Sequence, residues 1–219
     1  PAIHLPEVDA ETVVGFRVRA MDFAGNVSAE SAVSVAVVPA TKVVADGAND
    51  WVALAGQTAY LESGTLVLDE SRTFRDLLVL RGAKITHSPG GARRLDLKVT
   101  GRLFVECGGS IDATGRGYPS GATYVGAQDA AHGPGSHLGV GGGIPAIATS
   151  TYGSVTTPAE AGAGGSAGTV SGGGVVRVIA GTILLGGSSA AIRSNGAFEY
   201  GFRGGGGGAG WLSANAILG

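Results

Sequence analysis

The sequence contains one cysteine, Cys107, so no disulfide bond can form within the chain. A small disulfide-stabilised scaffold is therefore excluded. We interpret Cys107 as a small turn residue, because it aligns with Gly187 in a second copy of the surrounding segment. A reactive thiol or an intermolecular link is the alternative.

Charge is also scarce. Charged residues make up 15% of the 219 residues, the formal net charge is −2, and lysine is limited to Lys42, Lys84 and Lys98. Nucleic acids and anionic membrane surfaces require a basic patch that this composition does not supply. No apolar run approaches the roughly 18 residues of a spanning helix, and no signal peptide is visible. We therefore predict no nucleic-acid partner and no membrane insertion.

Glycine is the abundant residue, and its distribution changes along the chain. Only 8 of the 41 glycines lie in the first 100 residues. Hydrophobic residues make up 44%, which is enough to fill a core. We therefore expect the glycine-rich second half of the chain to differ in local structure from the first half.

Residues 95–115 (LDLKVTGRLFVECGGSIDATG) return in altered form as residues 175–196 (VVRVIAGTILLGGSSAAIRSNG). The aligned pairs are Gly101–Gly181, Leu103–Ile183, Val105–Leu185, Ile111–Ile192 and Gly115–Gly196. A shorter copy covers 77–87 and a clipped copy covers 211–218, so that Leu78, Phe104, Leu184 and Leu218 are equivalent at intervals of 26, 80 and 34 residues. Each copy predicts a short strand, a turn at glycine and a second short strand.

These repeats predict an all-β fold, a single-stranded parallel β-helix (solenoid) with long glycine-rich insertions. Equivalent residues would stack between coils, and inward aliphatic side chains would form a continuous core. The predicted strands are 51–54, 65–68, 77–80, 84–87, 95–99, 103–105 and 110–113. An antiparallel sandwich of short strands is the alternative, and it explains the matching turns less well.

The N-terminal region predicts a β-hairpin over residues 13–38, with turn residues at 22–26. Alternation places Phe16 and Val18 on one face and Arg17 and Arg19 on the other. The string FRVRAMDFAGNVSAES resembles the last two strands of a fibronectin type III domain, which carry an aromatic-x-Val-x-Ala pattern followed by D-x-x-G-N-x-S. This resemblance implies a partial β-sandwich hairpin over 1–40, and two strands alone are marginally stable.

Residues 83–115 followed by RGYPSG resemble a repeat found in large secreted and surface-anchored bacterial proteins. The resemblance covers residues 50–219 and implies an extracellular β-helix with an adhesive or structural role and no catalytic residues. We accordingly divide the chain into a fibronectin-like end at 1–40, a linker at 41–49 and a β-helix at 50–219. The β-helix carries a glycine-rich insertion at 115–174 and a second glycine-rich loop at 197–210. We expect a fragment of a longer protein, truncated at both ends and joined to flanking domains.

The insertion has almost no strand pattern, and a loop of that length is usually functional or disordered. Glycine runs at 141–143, 172–174 and 204–208 predict extended threads of polyproline II type, packed closely because glycine has no side chain. The composition is similar to the glycine-rich domains of some receptor ectodomains and phage adhesins, in which polyglycine strands form a lattice. We place recognition here. The candidate binding residues are Tyr118, Tyr124, His132, His137 and Tyr152.

Tyrosine rings offer a stacking surface for sugars together with a polar hydroxyl group. The alternative is that the tyrosines pin the insertion to the solenoid. Asp129, His132 and His137 form the only cluster that resembles metal ligands, but their spacing matches no common zinc pattern. We therefore predict no metal and no cofactor.

The number and positions of the acidic residues do not predict an enzyme. Glycosidases generally use two carboxylates about 5–10 Å apart, whereas Asp112 aligns with Arg193 and so builds no acidic row. The acids that follow Gly101 are Glu106, Asp112, Asp129, Glu160 and Glu199.

We expect a non-catalytic segment of a secreted or cell-surface adhesin or structural protein, whose glycine-rich loops bind polysaccharides or cell-surface glycans. One alternative is a fragment of a carbohydrate-active β-helix enzyme, either a polysaccharide lyase or a glycosidase. The other alternative is a passive structural stalk. The tyrosines favour an adhesin over a stalk, and the sparse acids and lysines count against an enzyme.

Overall fold

The computed structural model describes residues 12–38, 41–44, 54–127, 135–139, 150–166, 170–198 and 204–219. These residues contain β-strands and no helix, and hence no helix that could cross a membrane. The strands are β1 (Thr12–Phe16), β2 (Ser34–Val38), β3 (Thr41–Val44), β4 (Thr58–Leu61), β5 (Gly64–Val67), β6 (Arg72–Phe74), β7 (Leu77–Val79), β8 (Ala83–Thr86), β9 (Leu95–Glu106), β10 (Ser110–Asp112), β11 (Val175–Gly186), β12 (Ala191–Arg193) and β13 (Ala209–Leu218).

Two parallel sheets make up the structure from β3 onward. The larger sheet has 7 strands in the order β13-β11-β9-β7-β4-β3, with β6 also paired to β9, and the smaller has 4 in the order β12-β10-β8-β5. From β7 to β13 the chain alternates between the two sheets at every strand. The chain is therefore all-β with parallel pairing, which is consistent with a solenoid.

Three of the five predicted pairs are confirmed as register partners in these sheets. The pairs Leu103–Ile183, Val105–Leu185 and Ile111–Ile192 lie opposite each other on neighbouring strands. One row of partners runs across four strands of the larger sheet, through Leu78, Phe104, Leu184 and Leu218. After each interval of 26, 80 or 34 residues, the chain therefore reaches the equivalent position on the next strand of the larger sheet.

A single core contains inward side chains from both sheets. Ile85 and Ile111 of the smaller sheet and Leu103 and Ile183 of the larger sheet all have 0% exposure and belong to one cluster. Burial of a side chain of this size stabilises a fold by about 1.5–3 kcal/mol. The alternation of inward aliphatic residues therefore holds the two sheets together.

The predicted turn at Gly101 is wrong, because β9 continues through this residue. A Cβ atom there would overlap the Asp76 carboxylate and lie 2.9 Å from the Arg75 carbonyl oxygen. The Gly101 N–H also donates to that carbonyl at 2.7 Å. Glycine is needed at position 101 because the turn at Arg75 and Asp76 packs directly against it. The pairing of β9 with β11 shows a register shift at this level, next to Gly181.

The start of the larger sheet also differs from expectation. Residues 41–44, assigned to the linker, form β3 and pair in parallel with β4. Their sequence, TKVV, is rich in β-branched residues, which favour strands. The strand expected at 51–54 falls mostly outside the described residues, and Leu54 lies in a turn.

The N-terminal hairpin is confirmed, with β1 and β2 antiparallel. The Asp22 carboxylate accepts the N–H groups of Ala24 and Asn26 at 2.9 Å each, and Gly25 has φ 86°. Arg17 and Arg19 share a face as predicted, because both bind Glu30. Between β1 and β2, where the structure describes the side chains, five large apolar residues are each at least 50% exposed: Val18, Met21, Phe23, Val27 and Val33.

Candidate functional site

Between β10 and β11, and again between β12 and β13, the chain forms extended segments that belong to no strand. We call these segments the glycine lattice, defined as residues 117–118, 135–137, 162–165, 171–174, 194–197 and 204–208. Backbone hydrogen bonds connect them, among them Gly117 N to Gly172 O (2.7 Å), Gly162 N to Gly173 O (2.8 Å), Gly173 N to Gly206 O (2.8 Å), Gly206 N to Ala163 O (2.8 Å), Gly208 N to Ser194 O (2.7 Å) and Gly135 N to Gly204 O (2.9 Å).

The central segment of the glycine lattice, residues 171–174, has more neighbours than a strand can have. It forms backbone hydrogen bonds with segments 117–118, 162–165, 194–197 and 204–208. A β-strand pairs on two sides only, whereas a polyproline II thread, with 3 residues per turn, directs its backbone groups around its axis. The hydrogen bonding therefore extends in two dimensions across the glycine lattice.

Side chains are excluded from the interior of the glycine lattice. A Cβ atom on Gly172 would overlap the carbonyl oxygen of Gly162 and lie 2.7 Å from that of Ala163. A Cβ atom on Gly206 would lie 2.5 Å from the Ser136 carbonyl oxygen. The predicted close packing is thus confirmed for the run 172–174 and, within 204–208, for Gly205, Gly206 and Gly208. The run at 141–143 lies outside the described residues.

His87 lies where the glycine lattice meets the sheets, and its ring occupies the space that a side chain on Gly174 would need. It follows β8 at the inward position after Ala83 and Ile85 and is 0% exposed. Its Nε2 accepts the Val175 N–H at 3.2 Å, and its Nδ1 lies 2.8 Å from the Ser88 carbonyl oxygen, so the ring proton is on Nδ1. Burial lowers the pKa of His87, and the Arg116 charge lowers it further, against an opposing effect of Ser88 and Asp69. The imidazole is therefore a neutral link.

Tyr118 attaches the glycine lattice at a second point. Its backbone bonds to Gly162 and Gly172, and its ring occupies the space that a side chain on Gly91 would need. The ring packs against a small buried cluster that includes Val175. Burial raises the pKa of this phenol. The pinning role, weighed as the alternative for the tyrosines, fits Tyr118.

Three other rings meet at the surface of the glycine lattice, and we call Tyr124, His137 and Tyr152 the aromatic cluster. Tyr124 and Tyr152 are stacked, with ring centroids 5.3 Å apart and an interplanar angle of 15°. His137 is tilted by 55° against Tyr152, at 5.2 Å. Tyr124 remains 43% exposed. The cluster thus offers one accessible ring supported by two more buried rings.

Tyr152 is held in place at both ends. Its hydroxyl donates to the Ala161 carbonyl at 2.7 Å, and its N–H donates to the His137 carbonyl at 2.9 Å. Burial raises the pKa of Tyr152 to about 12, with Glu160 acting in the same direction and a hydrogen bond from Thr123 opposing it. The ring under Tyr124 is therefore fixed and neutral.

His137 forms part of a shallow depression of about 410 Å³. Its lining residues are Gly135, His137, Leu138, Gly139 and Gly205, Gly206, Gly207 and Gly208. His137 is 7% exposed, and among the described residues its Nε2 has no hydrogen-bond partner. Burial lowers its pKa, while Glu160 and the Gly207 backbone oppose that effect.

The five candidate residues have separate outcomes. The structure brings Tyr124, His137 and Tyr152 together, places Tyr118 at the base of the glycine lattice, and does not describe His132. Asp129 also lies outside the described residues, within which no group of three His, Cys, Asp or Glu side chains is close enough to hold a metal ion. The contributions of His87 and Glu160 were missed, although the inward alternation before His87 is a readable signal.

The acidic residues near the sheets have structural contacts. Glu106 is buried, and its carboxylate accepts the Arg81 N–H at 2.8 Å. Asp112 accepts the Thr114 N–H at 2.8 Å and is the register partner of Arg193. Glu106 therefore fixes the turn that follows β7, and Asp112 fixes the turn that follows its own strand, β10.

Cys107 lies in the turn after β9, as interpreted from the sequence. Its Sγ is 3.0 Å from the Ser189 Oγ, and this hydrogen bond lowers the pKa of the thiol. The side chain also lies close to Gly187, with which it was aligned.

Comparisons with protein family models, with curated proteins and with solved structures found no match. The function is therefore argued from geometry.

Proposed function

We propose that the two parallel sheets form a single-stranded parallel β-helix, preceded by the end of a fibronectin type III domain. Supporting the first part are the alternation of successive strands between the sheets and the row of partners from Leu78 to Leu218. Supporting the second are the antiparallel hairpin and its exposed apolar face.

We further propose that this chain is a non-catalytic segment of a bacterial secreted or cell-surface adhesin. In this proposal the β-helix is a rigid support, the glycine lattice is mounted on it through His87 and Tyr118, and the aromatic cluster binds glycans. The observation that carries the proposal is the exposed Tyr124 ring stacked on the fixed Tyr152 ring.

A fixed aromatic surface suits glycan binding for an energetic reason. Association costs free energy when mobile side chains become ordered, and pre-ordering them reduces that cost. Tyr152 is already held by one hydrogen bond from its ring hydroxyl and one from its backbone N–H, and the segments around it are joined backbone to backbone. A sugar that stacks on Tyr124 would therefore bind a surface whose supporting side chains and backbone are already ordered, so that little entropy is lost on binding.

The non-catalytic part of the proposal is supported by the acidic residues. Glu106 is occupied by a backbone N–H, and Asp112 lies beside Arg193. Glu160 acts on the aromatic cluster, because its charge contributes to the raised pKa of Tyr152, and it also contributes to that of Tyr118. Hydrolysis of a glycosidic bond generally needs a second carboxylate beside the first.

The proposal is tested by measuring binding of the intact chain to immobilised polysaccharides and to whole cells. Tyr124→Ala removes the accessible ring and is expected to weaken binding roughly tenfold, as loss of an aromatic contact does. Phe23→Ala is the matched control, because Phe23 is a fully exposed aromatic residue in the hairpin. Circular dichroism verifies that each variant folds.

Binding that is lost in Tyr124→Ala and kept in Phe23→Ala supports the adhesin. Absence of binding by the intact chain, or an equal loss in both variants, would overturn it and favour a passive stalk.

A further inference from the structure

The geometry points to an uncharged, hydroxyl-rich glycan as the ligand of the aromatic cluster, in preference to an acidic glycan. This inference rests on the proposed function and names the class of ligand for the same surface.

The first argument is the absence of cationic side chains. Between Arg116 and Arg177 the sequence contains no lysine and no arginine, and its charged residues are Asp129 and Glu160. Uronates, sialic acids and sulfated sugars are usually bound through arginine or lysine, because these side chains supply charge-assisted hydrogen bonds to anionic oxygens. Beyond Arg116, whose charge acts on the buried His87, the insertion has no such group to offer.

The second argument is the carboxylate that acts on the cluster. Glu160 opposes the lowering of the pKa of His137 and contributes to the raised pKa values of Tyr118 and Tyr152. Its negative charge is therefore felt by two of the three rings of the cluster. The charge of an acidic sugar bound at the aromatic cluster would be repelled by the charge of Glu160, whereas a neutral sugar carries no charge to be repelled.

The third argument is that an exposed aliphatic residue follows each residue of the aromatic cluster within three positions of the sequence. Val125 follows Tyr124 in the sequence and is 89% exposed, and Leu138 follows His137 and is 49% exposed. Val155, three residues after Tyr152, is 80% exposed. Neutral pyranoses combine C–H faces with hydroxyl groups, so exposed aliphatic side chains near an exposed phenol suit them.

The inference is tested with two panels of polysaccharides, one neutral (dextran, mannan and galactan) and one anionic (polygalacturonate, alginate and heparin). Binding of the intact chain is measured at about 50 mM and about 500 mM NaCl, since salt screens ionic contacts. We expect binding to at least one neutral polysaccharide, with Kd unchanged within about twofold across this range. Tyr124→Ala is expected to raise that Kd about tenfold.

Glu160→Gln and Glu160→Lys form a matched pair that separates shape from charge. Glu160→Gln keeps the size of the side chain and should change neutral binding by about threefold or less, because a neutral sugar has no charge on which Glu160 could act. Glu160→Lys should gain binding to the anionic panel at low salt and lose it at high salt.

The outcomes distinguish this inference from the proposed function. If the intact chain prefers the anionic panel and Tyr124→Ala abolishes that binding, the glycan-binding function stands and the neutral class is overturned. If the intact chain binds neither panel nor cells, or if Tyr124→Ala binds like the intact chain, both are overturned.

Discussion

The Nε2 atom of His87 accepts the backbone N–H of Val175 at 3.2 Å, across 88 positions of sequence. The bond connects the end of β8 to the first residue of β11, where the chain returns from the glycine lattice to the larger sheet. Because the Nδ1–H group donates to the Ser88 carbonyl, the neutral ring forms a hydrogen bond with both Ser88 and Val175. A second ring proton would face the Val175 N–H, so protonation and this link exclude each other.

Stability should consequently fall in mild acid. Burial lowers the pKa of His87 in the folded chain, whereas an unfolded chain titrates at about 6.5. The unfolded chain therefore binds protons more readily, and the stabilisation is complete above about pH 6.5 and is lost as the pH falls through the folded-state pKa. His137, whose pKa burial also lowers, acts in the same direction. We predict a lower urea midpoint at about pH 5 than at about pH 7.5.

The control for this prediction is the double variant His87→Gln and His137→Gln, which removes both titrating rings. Asp69 and Arg116 act on His87 from neighbouring segments, and both side chains are kept in the double variant. The double variant should show a flatter dependence on pH. A midpoint in the intact chain that stays constant or rises towards about pH 5 would contradict the account.

The glycine lattice allows a matched test of close packing. Gly172→Ala places a methyl group against the backbone of Gly162 and Ala163, whereas Gly207→Ala places it where no atom lies within 4 Å. We predict that Gly172→Ala lowers the free energy of unfolding by about 3 kcal/mol, at the upper end of overpacking effects. Gly207→Ala should change it by less than about 1 kcal/mol. Equal effects in urea titrations would show that the segments do not pack as described.

Tyr152 gives a prediction at alkaline pH. Burial raises its pKa to about 12, above the value of about 10 in an unfolded chain, so its contribution is complete below about pH 10 and lost as the pH rises through about 12. Phenolate absorbance should show a titration near pH 12 that is missing in Tyr152→Phe. That variant also loses the hydrogen bond to Ala161, worth about 1 kcal/mol. Identical titration curves for the two proteins would refute the assignment.

The sheets could be predicted from the sequence because their periodicity is local and repeated. Leu103 and Ile183 sit at the same place in two similar stretches, and parallel stacking makes such residues register partners. The interpretation of Gly101 was wrong because its reason is non-local. The turn at Arg75 and Asp76, between β6 and β7, packs against Gly101. The residues next to Gly101 in the sequence give no indication of this contact.

The site was less predictable than the sheets. Tyrosines in a glycine-rich insertion indicated where recognition would lie, but the stacking of Tyr124 on Tyr152 joins residues 28 positions apart through segments without periodicity. The same holds for Tyr118, whose contact with Gly91 makes it an anchor. Aromatic composition identified the candidates, and only the fold separates the exposed ring from the buried ones.

The central claim is that the glycine lattice is an ordered body held by backbone hydrogen bonds, and amide hydrogen exchange tests it most directly. The N–H groups of Gly162, Gly172, Gly173 and Gly206 each donate to a carbonyl of another segment at 2.8–2.9 Å, and all four residues are buried. We predict that these four amides exchange as slowly as the strand amides of β9 and β11. Exchange at the rate of an unfolded chain would contradict the glycine lattice, and with it the fixed surface on which Tyr124 is displayed.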